Sequence, residues 1–157
     1  MKYSIDTCSL LQPWHSLYPD DVFPDVWANL DKLIEHGEVV ATEEVFFELE
    51  KQDDEVLAWA KRRRGMFIEI DDAIQPVVSD ILERYERLVD TRRSRSGADP
   101  FVIALAKAND GTVVTEEPRT GKLDKPNIPD VCKALGVRCI NFLGLIRQEG
   151  WVFRSQS

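Results

Sequence analysis

The sequence has few of the residues that a disulfide-stabilised fold or a histidine-based active site requires. Its 157 residues include three cysteines, Cys8, Cys132 and Cys139, and no C-x-x-C pair. An odd count without such pairs argues against a disulfide framework, and we expect small buried thiols. The two histidines, His15 and His36, lie in different neighbourhoods. A histidine-rich zinc site or a Ser-His-Asp triad therefore has little to draw on.

Long apolar runs and a surplus of positive charge are also missing. No hydrophobic stretch is long enough to span a bilayer or to form the core of a signal peptide, so we expect a soluble, cytoplasmic protein with no membrane partner. The 20 basic and 28 acidic residues give a net charge of −8. Because nonspecific nucleic-acid binding depends on bulk positive charge, any contact with nucleic acid must be local or involve a metal ion.

What the sequence does contain is an alternation of short apolar stretches with amphipathic ones. A hydrophobic content of 43% over 157 residues is enough for one core, and we expect a single domain over residues 1–157. Strands are predicted at 2–6, 38–42, 66–70, 111–115 and 137–140, and helices within 23–37, 43–52, 53–65, 76–89, 99–109, 130–136 and 141–150. This alternation predicts an α/β fold, in which helices cover both faces of a parallel sheet.

Acidic residues stand at the predicted carboxyl ends of strands and at the starts of helices. They are Asp6 at the end of the first strand, Glu44 and Glu48 in the helix after the second, Asp99 at the start of an apolar helix, and Glu116 and Glu117 after the fourth strand. Ligands of parallel α/β sheets collect at the carboxyl ends of the strands. Carboxylates that converge there repel one another, and a hard cation such as Mg²⁺ or Mn²⁺ removes that penalty.

Each acid also has an interpretation that needs no metal. Asp99 precedes Pro100 and fits an N-cap with proline at the first helical position. Asp6 can cap the turn that follows it, and glutamates four apart on a helix, such as Glu44 and Glu48, are usually solvated. The two glutamates after the fourth strand can be ordinary loop residues. The metal hypothesis depends on the coincidence of all these acids at one edge of the sheet.

Three stretches, taken in order, resemble the motifs of PIN-domain nucleases. YSIDTCSLL (3–11) resembles the first strand of that family, which ends on an Asp followed by a small hydroxyl residue. VVATEEVFFELEK (39–51) resembles the second motif, and GADPFVIALAKANDGTVVTEE (97–117) resembles the third and fourth together. The spacing is similar to that of the small VapC-type toxins of toxin-antitoxin pairs, and IPDVCKALGVRCINFLGLI (128–146) resembles an uncharacterised branch of the superfamily.

The resemblance implies a three-layer α/β/α fold with a five-stranded parallel sheet of order 3-2-1-4-5. It also implies an Mg²⁺- or Mn²⁺-dependent endoribonuclease, in which a water oriented by Asp6 or Asp99 attacks the RNA phosphodiester and no side-chain nucleophile is needed. Carried over by motif, the catalytic and metal-binding acids are Asp6, Glu48, Asp99 and Glu117, with Glu44 and Glu116 as alternates. The fourth position usually carries Asp in this family, and here a longer Glu stands there.

The resemblance further implies three partners: an RNA substrate, a small antitoxin protein that covers the cleft, and a second copy of the chain. In such a homodimer the early helices are the candidate interface. A catalytically weak PIN-like module for binding or scaffolding is the alternative function. A receiver-like signalling domain is a third hypothesis. It requires a lysine after the fifth strand, but this sequence has Asn141 there.

Local positive charge offers two candidate contacts for RNA. Arg92, Arg93 and Arg95 lie in a loop just before Asp99, and the run KRRR (61–64) is the second candidate. Complementation of a helix dipole is the alternative interpretation of both groups. Tryptophan side chains can stack on bases, but Trp27 and Trp59 have the spacing of core residues, and Trp14 and Trp151 are uninformative.

Overall fold

Five parallel strands form the centre of the fold in the computed structural model of the chain, which describes residues 1–52, 54–89 and 97–155. The strands are β1 (Tyr3–Ile5), β2 (Val39–Thr42), β3 (Phe67–Ile68), β4 (Thr112–Val114) and β5 (Arg138–Ile140). The α-helices are α1 (Cys8–Gln12), α2 (Pro24–Glu35), α3 (Glu43–Gln52), α4 (Asp54–Lys61), α5 (Gln75–Arg84), α6 (Asp99–Ala108), α7 (Ile128–Leu135) and α8 (Phe142–Glu149). The architecture is a three-layer α/β/α fold, as predicted.

The strands lie in the order β3-β2-β1-β4-β5, and every neighbouring pair is parallel. This confirms the expected order 3-2-1-4-5. The order reverses between β1 and β4, where Ile5 is opposite Val114. Because parallel strands end at the same edge, the residues that follow these two strands are neighbours: the amide of Asp6 donates to the carbonyl of Val114 at 2.9 Å. Such a reversal point is where α/β sheets bind ligands.

Helix α6 is largely buried. Its buried residues are Asp99, Pro100, Val102, Ile103, Ala104, Leu105 and Ala106. It packs against β1, β2 and β4 and is flanked by α5 and α7. A buried hydrogen bond from Ser4 Oγ to the carbonyl of Val102, 2.8 Å long, fixes α6 to β1. The prediction that this helix lies against the sheet is confirmed, and the first helical residue, Asp99, is held rigidly.

Aromatic rings join helices α2, α4 and α8. The Trp27 ring of α2 lies 4.9 Å from that of Trp14, 5.7 Å from that of Trp59 and 5.9 Å from that of Phe142, measured between centroids. Its indole nitrogen donates to the carbonyl of Tyr18 at 2.7 Å. Trp27 and Trp59 are buried, so they are core residues, as their spacing predicted, and neither can stack on a base.

Two segments differ from the sequence-based expectation. The predicted helix 76–89 is interrupted, since Tyr85 leaves the helical region (φ −130°, ψ 61°) and a short 3₁₀ turn follows at Glu86–Leu88. No element was predicted between 7 and 22, yet α1 is followed by a π-helical turn at Pro13–Leu17. Five-residue helices are too short to show a helical period. Among the described residues, no helix combines the length and apolar character that crossing a membrane requires.

The burial of α6 predicts that its leucine contributes strongly to stability. Leu105 is 1% exposed, whereas Leu82 on α5 is 39% exposed. We expect Leu105→Ala to lower the free energy of unfolding by about 2–5 kcal/mol, because the substitution leaves a cavity in a packed core. Leu82→Ala, the same chemical change at an exposed position, should cost well under half as much. Urea unfolding of both variants measures the difference, and equal losses would contradict the described packing.

Candidate metal centre

Three of the predicted acids meet at the carboxyl edge of β1 and β4. Asp6 follows β1, Asp99 opens α6 and Glu117 lies three residues beyond β4. Each offers a carboxylate oxygen, and the three oxygens lie within 4.8 Å of one another. Asp6 and Asp99 are each only 3% exposed. Three oxygen donors this close together fit a single hard divalent cation, which completes its coordination with water.

Glu48 of α3 borders this group without belonging to it. Its Oε2 accepts a hydrogen bond from Thr7 Oγ1 at 2.5 Å, and its Oε1 accepts one from the amide of Ala98 at 3.2 Å. Thr7 follows Asp6 and Ala98 precedes Asp99, so both contacts tie Glu48 to the neighbours of the clustered acids. The predicted acid of the second motif therefore borders the group from the side of α3.

The ionised forms of these acids are unfavourable without a compensating charge. The pKa of Glu48 is raised to about 7, chiefly by burial and also by the negative charges of Asp6 and Glu117, and the hydrogen bonds from Thr7 and Ala98 oppose this rise. Burial also raises the pKa of Asp6, although Cys8, Thr7 and Thr115 donate hydrogen bonds to its carboxylate. A bound cation would favour the ionised forms and remove this cost.

The two alternate acids point elsewhere. Glu44 lies one turn before Glu48 on α3, where its charge interacts with those of Glu43 and Glu69, and burial raises its pKa. Glu116 Oε1 accepts a hydrogen bond from the amide of Phe142 at 2.7 Å and so caps α8. Neither belongs to the group of clustered carboxylates found among the described residues. The structure thus brings Glu117 into the group and leaves Glu48 beside it, hydrogen-bonded to Thr7 and Ala98.

Small polar side chains surround Asp6. Its Oδ2 accepts hydrogen bonds from Thr115 Oγ1 at 3.1 Å and Cys8 Sγ at 3.0 Å, and its Oδ1 accepts one from the amide of Thr7 at 2.7 Å. Thr115 Oγ1 also accepts a hydrogen bond from the amide of Glu117 at 3.2 Å. The hydroxyl residue after Asp6 and the threonine two before Glu117 were visible in the sequence. Cys8 carried no such signal, and it is half-buried beside the site.

The interpretation of Asp99 as an N-cap is wrong by one position. Ala98 is the N-cap of α6, and its carbonyl accepts a hydrogen bond from the amide of Val102 at 3.0 Å. Asp99 is the first helical residue and Pro100 the second. An acid in the first turn still complements the helix dipole, but the capping geometry does not account for Asp99.

The structure describes one of the two candidate RNA contacts. Arg92, Arg93 and Arg95 lie outside the described residues. In the run 61–64, Arg63 forms a bidentate pair with Asp31, at 2.5 Å and 2.7 Å, and lies over the Trp59 ring. The next residue of that run, Arg64, lies over the Phe46 ring.

The position of this run excludes a contact at the acids. Arg62 and Arg63 line a cavity of about 430 Å³ together with Gly37 and Val39, at the amino end of β2. In a parallel sheet that edge is opposite the one where Asp6 lies. The run therefore lies at the opposite edge of the sheet from the clustered acids, and its role as an RNA contact stays a prediction.

The raised pKa of Glu48 predicts how metal-free stability depends on pH. The folded-state pKa of about 7 exceeds the unfolded value of about 4.3. Its contribution to stability is therefore fully present below the unfolded pKa and is lost as pH rises toward 7. We expect Glu48→Gln to flatten this decline in urea unfolding between pH 4.5 and 8 without metal. Glu50→Gln, on an exposed part of the same helix, is the control; a decline unchanged in Glu48→Gln would contradict the assignment.

Comparison with known proteins identifies the family of the chain. No curated protein matches it. A family profile described as a domain of unknown function, DUF4411, matches residues 3–153. The match includes all five strands and every acid of the site. The chain belongs to the DUF4411 family.

Proposed function

We propose that the chain is a metal-dependent endoribonuclease of the PIN-domain kind, which hydrolyses RNA phosphodiesters with Mg²⁺ or Mn²⁺. One observation carries the proposal: carboxylate oxygens of Asp6, Asp99 and Glu117 lie within 4.8 Å of one another. They lie where the strand order reverses in a parallel sheet, the position at which this fold class binds ligands. The sheet has the order that the resemblance to PIN-domain nucleases implies.

The chemistry of the donor set supports a hard cation. All three groups offer oxygen, and two of them are buried where an uncompensated charge is costly. Such a cation, when bound, lowers the pKa of water and offsets charge on a phosphoryl group. Cys8 Sγ is close to Asp6, and burial and the adjacent carboxylate raise the pKa of this thiol. A thiolate is a soft ligand, and Mg²⁺ and Mn²⁺ prefer the oxygen ligands beside it.

The residues of the chain have separate roles under this proposal. Asp6 and Asp99 would hold the cation. Because the carboxylate of Asp6 already accepts three hydrogen bonds, the carboxylate of Asp99 would orient the attacking water. Thr115 fixes the carboxylate of Asp6 through its hydroxyl. Glu48 would hold Thr7 and Ala98, the neighbours of these two acids, through the hydrogen bonds that its carboxylate accepts. No side-chain nucleophile is required.

The biological role that we propose is that of a toxin in a cytoplasmic toxin-antitoxin pair. Exposed apolar side chains support a protein partner: Leu17, Val22 and Phe23 are exposed between α1 and α2. Exposed apolar surface of this kind marks protein contacts. It lies in the early part of the chain, which is the candidate interface for a homodimer or for the small antitoxin.

Thermal melting with and without Mn²⁺ tests metal binding. We expect Mn²⁺ to stabilise the wild type by mass action, by about 2.7 kcal/mol when free Mn²⁺ is 100 times its Kd. Asp99→Asn should remove most of this gain and raise metal-free stability, because it deletes one of the clustered charges. Asp25→Asn, an exposed aspartate in the first turn of α2, is the matched control and should keep the full gain.

The melting experiment also separates the two candidate functions. If millimolar Mn²⁺ shifts neither the wild type nor the control, the nuclease proposal loses its chemical basis and a PIN-like binding or scaffold module takes its place. If the gain is present, cleavage of a mixed pool of single-stranded RNA should require Mn²⁺ and stop when EDTA is added. Cleavage that survives EDTA would contradict a metal-dependent reaction.

A further inference from the structure

The segment from Glu117 to Ile128 leaves the sheet after β4 and returns at the start of α7. Two hydrogen bonds join the beginning of this segment to its end, and we call these two parts its arms. Glu117 Oε2 accepts a hydrogen bond from the amide of Ile128 at 2.9 Å, and Asn127 Nδ2 donates to the carbonyl of Pro118 at 2.8 Å. The acid that faces the candidate metal centre is therefore itself held by the beginning of α7.

Asp130 joins the same two arms farther out. Its carboxylate accepts hydrogen bonds from the amide of Gly121 at 2.9 Å, the amide of Asn127 at 2.8 Å, and both the amide and the hydroxyl of Thr120, at 3.0 Å and 2.9 Å. Asp130 is 7% exposed. Burial would raise its pKa, but these hydrogen bonds outweigh burial and lower the pKa below its ordinary value. The carboxylate stays ionised and binds both arms of the segment.

We propose that Asp130 is a positioning residue, which holds Glu117 in the orientation that presents its carboxylate to Asp6 and Asp99. The link is short. Asp130 accepts from the amide of Asn127, and the next amide along the chain, that of Ile128, donates to Glu117. This inference depends on the proposed function, because it assigns Glu117 a part in metal binding.

The length of the Glu117 side chain makes such positioning necessary. Glutamate has one more rotatable bond than aspartate, and immobilising a longer side chain costs more conformational entropy. If the segment fixes the Ile128 amide in advance, this cost is met during folding and not during metal binding. A metal centre with a glutamate at this position can then bind its cation as tightly as one with the shorter acid.

A purely structural role for Asp130 is the competing explanation. Asp130 also completes a capping box with Asn127 at the start of α7, which by itself stabilises a helix. A structural role predicts lower stability in a variant with unchanged metal affinity. A positioning role predicts weaker metal binding in protein that is still folded.

The test measures the Kd of Mn²⁺ by isothermal titration calorimetry for the wild type, Asp130→Asn and Asp71→Asn, at a temperature where all are folded. Asp71 accepts hydrogen bonds from the amides of Ala73 and Ile74, both at 3.0 Å, before α5. Asp71→Asn is thus the same chemical change, away from the site. We expect Asp130→Asn to weaken Mn²⁺ binding about 10-fold or more, a typical effect of residues that orient a ligand, and Asp71→Asn to leave the Kd within about 2-fold.

Two further measurements accompany the titration of Asp130→Asn: the titration of a milder variant, and proteolysis of metal-free protein. Thr120→Val removes the hydroxyl that donates to Asp130 and keeps the carboxylate, so it should weaken Mn²⁺ binding by a smaller factor, even if Asp130→Asn does not fold. In metal-free protein, trypsin should cut after the exposed residues Arg119 and Lys122 faster in Asp130→Asn than in Asp71→Asn, because the arms separate more often.

The outcomes distinguish this inference from the proposed function. If wild type binds Mn²⁺ and folded Asp130→Asn binds it with the same Kd, the positioning role is wrong and the nuclease proposal stands. If wild type does not bind Mn²⁺ at millimolar concentration, both are wrong. Weaker Mn²⁺ binding in both Asp130→Asn and Thr120→Val, together with faster cleavage of the segment in Asp130→Asn, supports the positioning role.

Discussion

Mutual repulsion among buried carboxylates is the constraint on which this structure depends. Asp6, Asp99 and Glu117 are held together at the edge of the sheet, and Glu48 adds a fourth acid whose pKa burial raises to about 7. Such an arrangement opposes folding unless something compensates it. The surrounding protein can keep these groups together because the elements that carry them are buried and rigid. A bound cation then offsets the repulsion among the carboxylates, which folding alone leaves uncompensated.

The fold accomplishes this with three separate supports. Parallel pairing of β1 with β4 brings their carboxyl ends together, and the apolar helix α6 is fixed to that sheet by the hydrogen bond from Ser4 to Val102. Hydroxyl and amide groups near Asp6 fix its carboxylate from several sides. The segment that returns to α7 holds the longer side chain of Glu117. The hydrogen bond from Ser4 fixes the helix that Asp99 opens, the hydroxyl and amide groups fix Asp6, and the segment holds Glu117.

Much of this arrangement could be predicted from the sequence, and what could not has physical causes. Strand positions followed from short apolar runs, and Asp6 and Asp99 followed from their places beside them. The choice between Glu116 and Glu117 could not be settled from the sequence, because it depends on which backbone amide lies near each side chain. The amide of Phe142 in α8 donates to Glu116, and the amide of Ile128 in α7 donates to Glu117. The location of the run at 61–64 could not be predicted for a similar reason, since the edge of the sheet at which it lies is a tertiary property.

Anomalous diffraction can locate a cation bound at the three carboxylates. A crystal of the protein grown with Mn²⁺ can be measured at the manganese absorption edge, where anomalous scattering identifies the ion without ambiguity. We expect one strong peak with oxygens of Asp6, Asp99 and Glu117 at about 2.0–2.3 Å, a range typical of hard divalent cations. A peak elsewhere, or none beside these three carboxylates at millimolar Mn²⁺, would contradict it.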